Sequence, residues 1–243
     1  MPNARIELLD FLDTEECRAV EQTVLRLRDL WELREKPGSD GVVRQSYYTL
    51  GVPSYLDAVT HDKEAGYYSK ARELNPTLGS EFKGLYDKLK TFLSACLGKP
   101  VTFAPGLALP GFHIYPAEPG VQYSAFELHL DLQYKYLHWE RPEEIDFANP
   151  VSFTVPVTLP DEGGGLNVCE LSSPRFMLLN RDRLQSALAE KTRYVPYVRG
   201  RMALQWGMLL HGVAKWRNVG SRSPRITLQG HALRRRDSWQ VYW

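Results

Sequence analysis

The segment Phe126–Tyr136, FELHLDLQYKY, alternates almost without error. Leu128, Leu130, Leu132 and Tyr134 fall on one parity, and Glu127, His129, Asp131, Gln133 and Lys135 on the other. A period of two is the pattern of a strand with one apolar and one polar face. His129 and Asp131, two apart, leave such a strand on the same side. If that face looks at water, both are merely solvated. If it lines a barrel, they sit together in a pocket, and an imidazole beside a carboxylate is a ligand pair for a divalent metal such as iron.

The surrounding chain favours a barrel. From residue 101, prolines and glycines punctuate short runs rich in Val, Thr, Tyr and Phe, the texture of many short strands. VSFTVPVTLP alternates with Val151, Phe153, Val155, Val157 and Leu159 on one parity, and Pro156 predicts an edge or bulged strand. DEGGGLNV reads as a glycine-rich turn into a further strand, RDRLQSALAEK as a short surface helix, and GRMALQWGMLLHGV and PRITLQGHAL as closing strands. The first hundred residues have helical patterning. Asp13 with Glu16 forms a capping box ahead of a stripe of Ala19, Val20, Val24, Leu27 and Trp31. A second helix, capped by Ser80, carries Phe82, Leu85, Leu89, Phe92, Leu93 and Cys96 and stops at Gly98 and Pro100. The expectation is one domain over 1–243. Residues 1–100 form a helical support layer and 101–243 a mainly β jelly-roll core.

The 243 residues carry a net charge of +1, so no global field recruits nucleic acid or an anionic membrane. Three cysteines, Cys17, Cys96 and Cys169, are too few and too scattered for a disulfide framework or a zinc clip. The opening MPNARIELLDFLD has no apolar signal region, and no apolar run approaches the ~20 residues that span a bilayer. A cytoplasmic protein is expected, a monomer or homodimer that binds neither membrane nor nucleic acid.

A metal site needs a third ligand from a distant strand. Among the histidines, His211 ends an apolar strand and precedes a glycine in LLHGV. Farther on, RITLQGHAL puts Arg225, Thr227, Gln229 and His231 on one parity. A guanidinium at the base of a pocket is a bidentate receptor for a carboxylate, and Thr227 can add a hydroxyl. The polar faces of separate strands thus supply histidines, an aspartate and an arginine, a set that surface strands have no reason to supply.

This ordered set, HLD followed by LLHGV and RIT, resembles the H-x-D…H…R-x-S/T pattern of the iron(II)/2-oxoglutarate-dependent dioxygenases. LLDFLDTEEC, VPVTLPDEGGGLNV and VRGRMALQW resemble segments of the prolyl-hydroxylase-like branch, so the resemblance covers about residues 101–232 and thins upstream. It implies a double-stranded β-helix with iron at its open end. His129, Asp131 and His211 would bind Fe(II), Arg225 the distal carboxylate of the cosubstrate 2-oxoglutarate with Thr227 assisting, and Tyr115 or equally His113 would contact the cosubstrate. The carboxylate at Asp131 argues for hydroxylation, desaturation or cyclisation rather than halogenation. Glu127 and Gln133 share the pocket parity, as ligand-orienting partners or as rim residues in water. Arg44, Tyr47, Tyr48, Tyr134 and Trp139 are candidates for the substrate pocket.

The implied activity is O2-dependent hydroxylation of an unactivated C–H bond in a small molecule, such as an amino acid or a natural-product intermediate. The alternatives are the same chemistry on a peptidyl residue, a non-catalytic jelly-roll binding protein, or a zinc or manganese cupin-like isomerase or hydrolase.

Overall fold

The computed structural model describes residues 4–37, 43–59, 62–117, 122–169, 186–188, 190–220 and 223–243. The strands are β1 (Arg5–Asp10), β2 (Glu32–Pro37), β3 (Val43–Leu50), β4 (Val101–Phe103), β5 (Gly111–Tyr115), β6 (Gln122–Tyr123), β7 (Ile145–Thr158), β8 (Glu162–Gly163), β9 (Leu166–Cys169), β10 (Thr192–Val195), β11 (Arg201–Trp206), β12 (Leu210–Val213), β13 (Trp216–Arg217), β14 (Arg225–Arg235) and β15 (Ser238–Tyr242). The α-helices are α1 (Thr14–Arg26), α2 (Ser54–Asp57), α3 (Lys70–Glu81) and α4 (Lys83–Leu97).

The large sheet runs β1-β11-β7-β14-β5-β3-β2, with β15 paired to β14 and β4 to β15. A smaller sheet runs β10-β9-β12 and is extended by an isolated antiparallel bridge between His129 and His211. From β5 to β14 the chain passes back and forth between these sheets: β5 in the large one, His129 in the small, β7 in the large, β9 and β10 in the small, β11 in the large, β12 in the small and β14 in the large. That alternation is a double-stranded β-helix, the jelly roll expected from the sequence.

Period two explains the layering. Val151, Phe153, Val155 and Val157 of β7 and Ile226, Leu228 and Ala232 of β14 share one core cluster with Val20 and Val24 of α1 and Leu85, Leu89 and Leu93 of α4. Each such side chain taken from water contributes about 1.5–3 kcal/mol, so the helices are held to the outer face of the large sheet. The opposite parity, Ser152 and Thr154 of β7 with Arg225, Thr227, Gln229 and His231 of β14, faces the small sheet and is buried or half-buried. The interior wall of the jelly roll is therefore polar.

Several expectations need correction. The alternation of 126–136 produces no full strand: only His129 is bridged, and Gln133–Tyr136 is a 3-10 turn that buries Gln133 and Tyr134. β7 is not an edge strand but lies between β11 and β14. Pro156 is accommodated by a register shift opposite Ile226 and Thr227, where the ladder needs no donor from it.

In the N-terminal part, Asp13 and Glu16 form the expected reciprocal capping box, but α1 ends before Trp31 and Ala19 is exposed. Ser80 lies inside α3 instead of capping α4, and Gly98 ends α4 in the left-handed region as anticipated. The first hundred residues also supply β1, β2 and β3 to the large sheet. Of the tail aromatics, Trp239 joins the helix-side cluster, while Tyr242 packs in a second cluster with Tyr67 and Trp139. The surface helix read from RDRLQSALAEK falls largely outside the described residues, as do His61 and Arg222 and the side chain of Arg44. Among the described residues, no helix is long and apolar enough to cross a membrane.

Candidate active site

A cavity of about 430 Å³ opens between the sheets, lined by residues from the large sheet (Ser152, Thr154, Gln229), the small sheet (Leu166, His211, Val213) and the segment from Phe126 to Tyr136. His129, Asp131 and His211 converge in it, with one potential ligand atom from each lying within 4.8 Å of the others. His211 Nε2 is 3.6 Å from Asp131 Oδ2, and His129 Nε2 is 4.0 Å from Asp131 Oδ1.

The backbone fixes this convergence. His129 donates its N–H to the His211 carbonyl at 2.8 Å, and His211 returns a bond to the His129 carbonyl at 3.0 Å. In such a reciprocal antiparallel pair the two side chains leave the same face. Gly212 permits the approach, because a Cβ there would meet the carbonyl oxygens of Phe126 and Glu127, each at 2.8 Å.

Both imidazoles are oriented by a backbone carbonyl. His129 Nδ1 lies 3.0 Å from the Glu127 carbonyl and His211 Nδ1 2.8 Å from the Leu209 carbonyl. A carbonyl can only accept, so Nδ1 carries the proton and Nε2 keeps its lone pair for the cavity. Burial pushes the His211 imidazole down from its ordinary range against the opposing pull of Asp131, so it is neutral near pH 7. Burial alone would push the Asp131 carboxyl up, but His211, His231 and His129 around it and a hydrogen bond from Ser152 hold it at about 2. An anionic carboxylate between two imidazoles is a donor set that could hold a divalent metal of the iron type.

Arg225 is 1% exposed. Its Nη2 donates to the Gly164 carbonyl at 3.1 Å, and its guanidinium carbon lies 5.2 Å from the Trp216 ring centroid and 5.4 Å from that of Tyr115. Its Nε and Nη1 are buried and without a hydrogen-bond partner among the described residues. A buried cation with no counter-anion among the described residues is costly, and a guanidinium with unmatched N–H donors attracts a carboxylate. The glycine turn at 163–165 forms this niche: Gly164 is at φ +74°, and a Cβ there would approach Arg225 Nε to 3.3 Å.

The remaining candidates separate into lining and supporting residues. Tyr115 lines the cavity beside the guanidinium and stacks on Tyr47 at 4.9 Å. His113 also lines it, hydrogen-bonded to the Tyr55 hydroxyl, and burial brings its imidazole down to about 3, with Arg225 and Arg34 acting in the same direction. Thr227 is fully buried opposite His113, and its hydroxyl accepts a long bond from Gln229 Nε2 at 3.5 Å. Gln133 lines the cavity, whereas Glu127 is exposed and offers its carbonyl to His129. Of the suggested pocket residues Tyr47 lines the cavity. Trp139, with His138, lines a separate one of about 350 Å³.

Ser152 and Tyr197 were missed in the sequence. Ser152 Oγ lies 3.0 Å from His231 Nδ1, and His231 stands 3.8 Å from Asp131. Its signal was present, since Ser152 and Thr154 occupy the polar parity of VSFTVPVTLP as Arg225 and Thr227 do in RITLQGHAL. Tyr197 lies outside the strands, in a stretch with no periodicity.

No protein-family model matches the chain, and no curated protein matches it. Among solved structures, its neighbours include prolyl hydroxylases and non-haem α-ketoglutarate-dependent enzymes. A Pseudomonas putida prolyl-4-hydroxylase has 16% identity and a TM-score of 0.39, over 96% of this chain and 93% of that one. A Trichoplax adhaerens prolyl hydroxylase, in complex with a hypoxia-inducible-factor oxygen degradation domain peptide fragment, has 16% identity and a TM-score of 0.42, over 97% and 84%. The α-ketoglutarate-dependent epimerase SnoN from nogalamycin biosynthesis has 13% identity and a TM-score of 0.46, over 96% and 79%. At that distance the chemistry is read from the side chains themselves.

Proposed function

We propose that this protein is an iron(II)/2-oxoglutarate-dependent oxygenase that hydroxylates an unactivated C–H bond of a small molecule. The observation that carries the reading is the pairing of a His129–Asp131–His211 cluster with the unpaired buried donors of Arg225 in one jelly roll. A zinc or manganese isomerase would use the first and have no need of the second.

When bound, iron and 2-oxoglutarate together supply the coupling of oxidative decarboxylation to the insertion of one oxygen atom into a C–H bond. The protein's own residues prepare the site. His129 and His211 offer Nε2, each ring oriented by a carbonyl behind it. Asp131 would complete a two-histidine, one-carboxylate donor set of the kind that suits iron. Arg225 would take the distal carboxylate of the keto acid with its guanidinium, while Tyr115, Tyr197 and Trp216 keep water from that ion pair. In so dry a surrounding the pairing is stronger than in water.

The test is turnover. The protein supplied with Fe(II), 2-oxoglutarate and a metabolite extract releases succinate and adds one oxygen mass to an extract component, and Asp131→Ala does neither while keeping its fold. Wild-type rates in that variant would refute the assignment. A peptide library run in parallel separates the peptidyl alternative, which predicts the mass gain there instead.

A further inference from the structure

Resting on the oxygenase reading, we infer that the substrate half of the cavity takes an uncharged, mainly apolar, ring-bearing molecule that presents a neutral oxygen acceptor to Gln133. The distribution of side chains around the cluster points that way. At one end Tyr115 and Tyr197 lie against Arg225, the end assigned to the cosubstrate. The walls elsewhere include Tyr55, Val59, Phe126, Leu132 and Tyr136. Val59 and Tyr136 are 48% and 44% exposed, large apolar side chains left in water beside a cavity. An apolar lip of that kind marks a binding surface, and flat aromatic walls favour a ring stacked or set edge-on between them.

Charge is missing from these walls. Among the described residues lining the cavity there is no lysine, arginine or glutamate, and Asp131 belongs to the metal cluster. Burial keeps His113 neutral. An ammonium or carboxylate carried into this space would lose its hydration and find no lysine, arginine or glutamate among the described lining residues, a heavy penalty for any ion. A free amino acid, with both charges, is therefore disfavoured, and the narrower class replaces it.

Three buried side-chain atoms of the described lining residues have no hydrogen-bond partner, Gln133 Nε2, Gln205 Oε1 and His231 Nε2, and the first of them is an amide donor. Gln133 is 4% exposed and lines the cavity, and its Nε2 has no hydrogen-bond partner among the described residues. It begins the 3-10 turn Gln133–Tyr136, which starts two residues after Asp131. That turn thus carries a ring at the lip and an amide in the wall of the same cavity. A buried amide N–H left unmatched is destabilising, and a bound carbonyl, ether or hydroxyl oxygen removes the penalty. A substrate lacking that oxygen leaves the donor orphaned, so Gln133 selects as well as binds.

Calorimetry with sister probes tests this on the full chain, in saturating 2-oxoglutarate and without oxygen, with and without Fe(II). 2-Naphthylmethanol is expected to bind at least tenfold more tightly than 2-naphthoate. Gln133→Leu should weaken the alcohol about fivefold, the loss expected for one hydrogen bond, and leave 2-methylnaphthalene unchanged. Val59→Asp, at an exposed position that the fold tolerates, should weaken both neutral probes. Equal or tighter binding of the carboxylate, no binding of the neutral probes, or an alcohol affinity indifferent to Gln133→Leu would each overturn the inference. A preference for the neutral probes in a protein that fails to bind iron would support the cavity's selectivity and contradict only the oxygenase reading.

Discussion

His129 and His211 exchange both backbone hydrogen bonds, so two imidazoles from distant parts of the chain are set side by side, their ring centroids 4.8 Å apart. The metal cluster therefore depends on how closely two strands approach, and Gly212 controls that approach. Gly212→Ala should force the 126–129 segment outward and weaken Fe(II) binding by roughly 10- to 100-fold, the range seen when ligand orientation is disturbed. Competition against a chelator of known affinity measures this. An unchanged affinity would mean that the bridge does not position the ligands.

Arg225 carries opposite expectations for binding and for stability. On the proposed function, Arg225→Met removes the guanidinium that would receive the cosubstrate and should weaken 2-oxoglutarate by about 100-fold, in line with the loss of a buried charged pairing. The same change removes a buried cation with a single carbonyl partner and three aromatic neighbours. Such replacements are often neutral or stabilising, so the ligand-free variant should melt no lower than the wild type. At a 2-oxoglutarate concentration 100 times its Kd, the wild type should gain about 2.7 kcal/mol, a rise on the order of 5–10 °C for a chain of this size. Scanning calorimetry of both proteins reads all three results, and a variant that rises with the cosubstrate as far as the wild type would move the carboxylate receptor elsewhere.

His113 gives a pH dependence. Burial holds its folded-state pKa at about 3, against an ordinary value of 6.5. Between those values the unfolded chain takes up a proton that the folded one refuses, so stability falls as pH drops below about 6.5. From pH 7 to pH 5 this one group should cost about 2 kcal/mol. In His113→Gln that part of the slope disappears, whatever the variant's stability at pH 7. Denaturant unfolding at the two pH values checks it, and parallel slopes in the two proteins would show that His113 is not held neutral.

Much of the site was legible because period-two alternation states which side chains share a face, and β14 keeps it without a break from Arg225 to Ala232. The same rule over-extended the strand at 126–136. Alternation cannot register that the chain turns after Leu132 into a 3-10 turn, which carries Gln133 into the cavity by a different route. Of the two places Pro156 allowed, an edge or a bulge, the structure uses the bulge, which lets a central strand carry a proline. Tyr55 and Tyr197 were illegible for another reason: they reach the cavity from outside the sheets, and no local pattern encodes a tertiary approach.

The central claim is that one metal and one keto acid share this cavity. Titrating the oxygen-free protein with Fe(II) and then 2-oxoglutarate, and following the visible absorption, tests it most directly. A weak charge-transfer band that saturates at one cosubstrate per chain, and is absent from Asp131→Ala, is the predicted result. A wild-type protein that develops no band while binding both components, or a band undiminished in Asp131→Ala, would contradict the account.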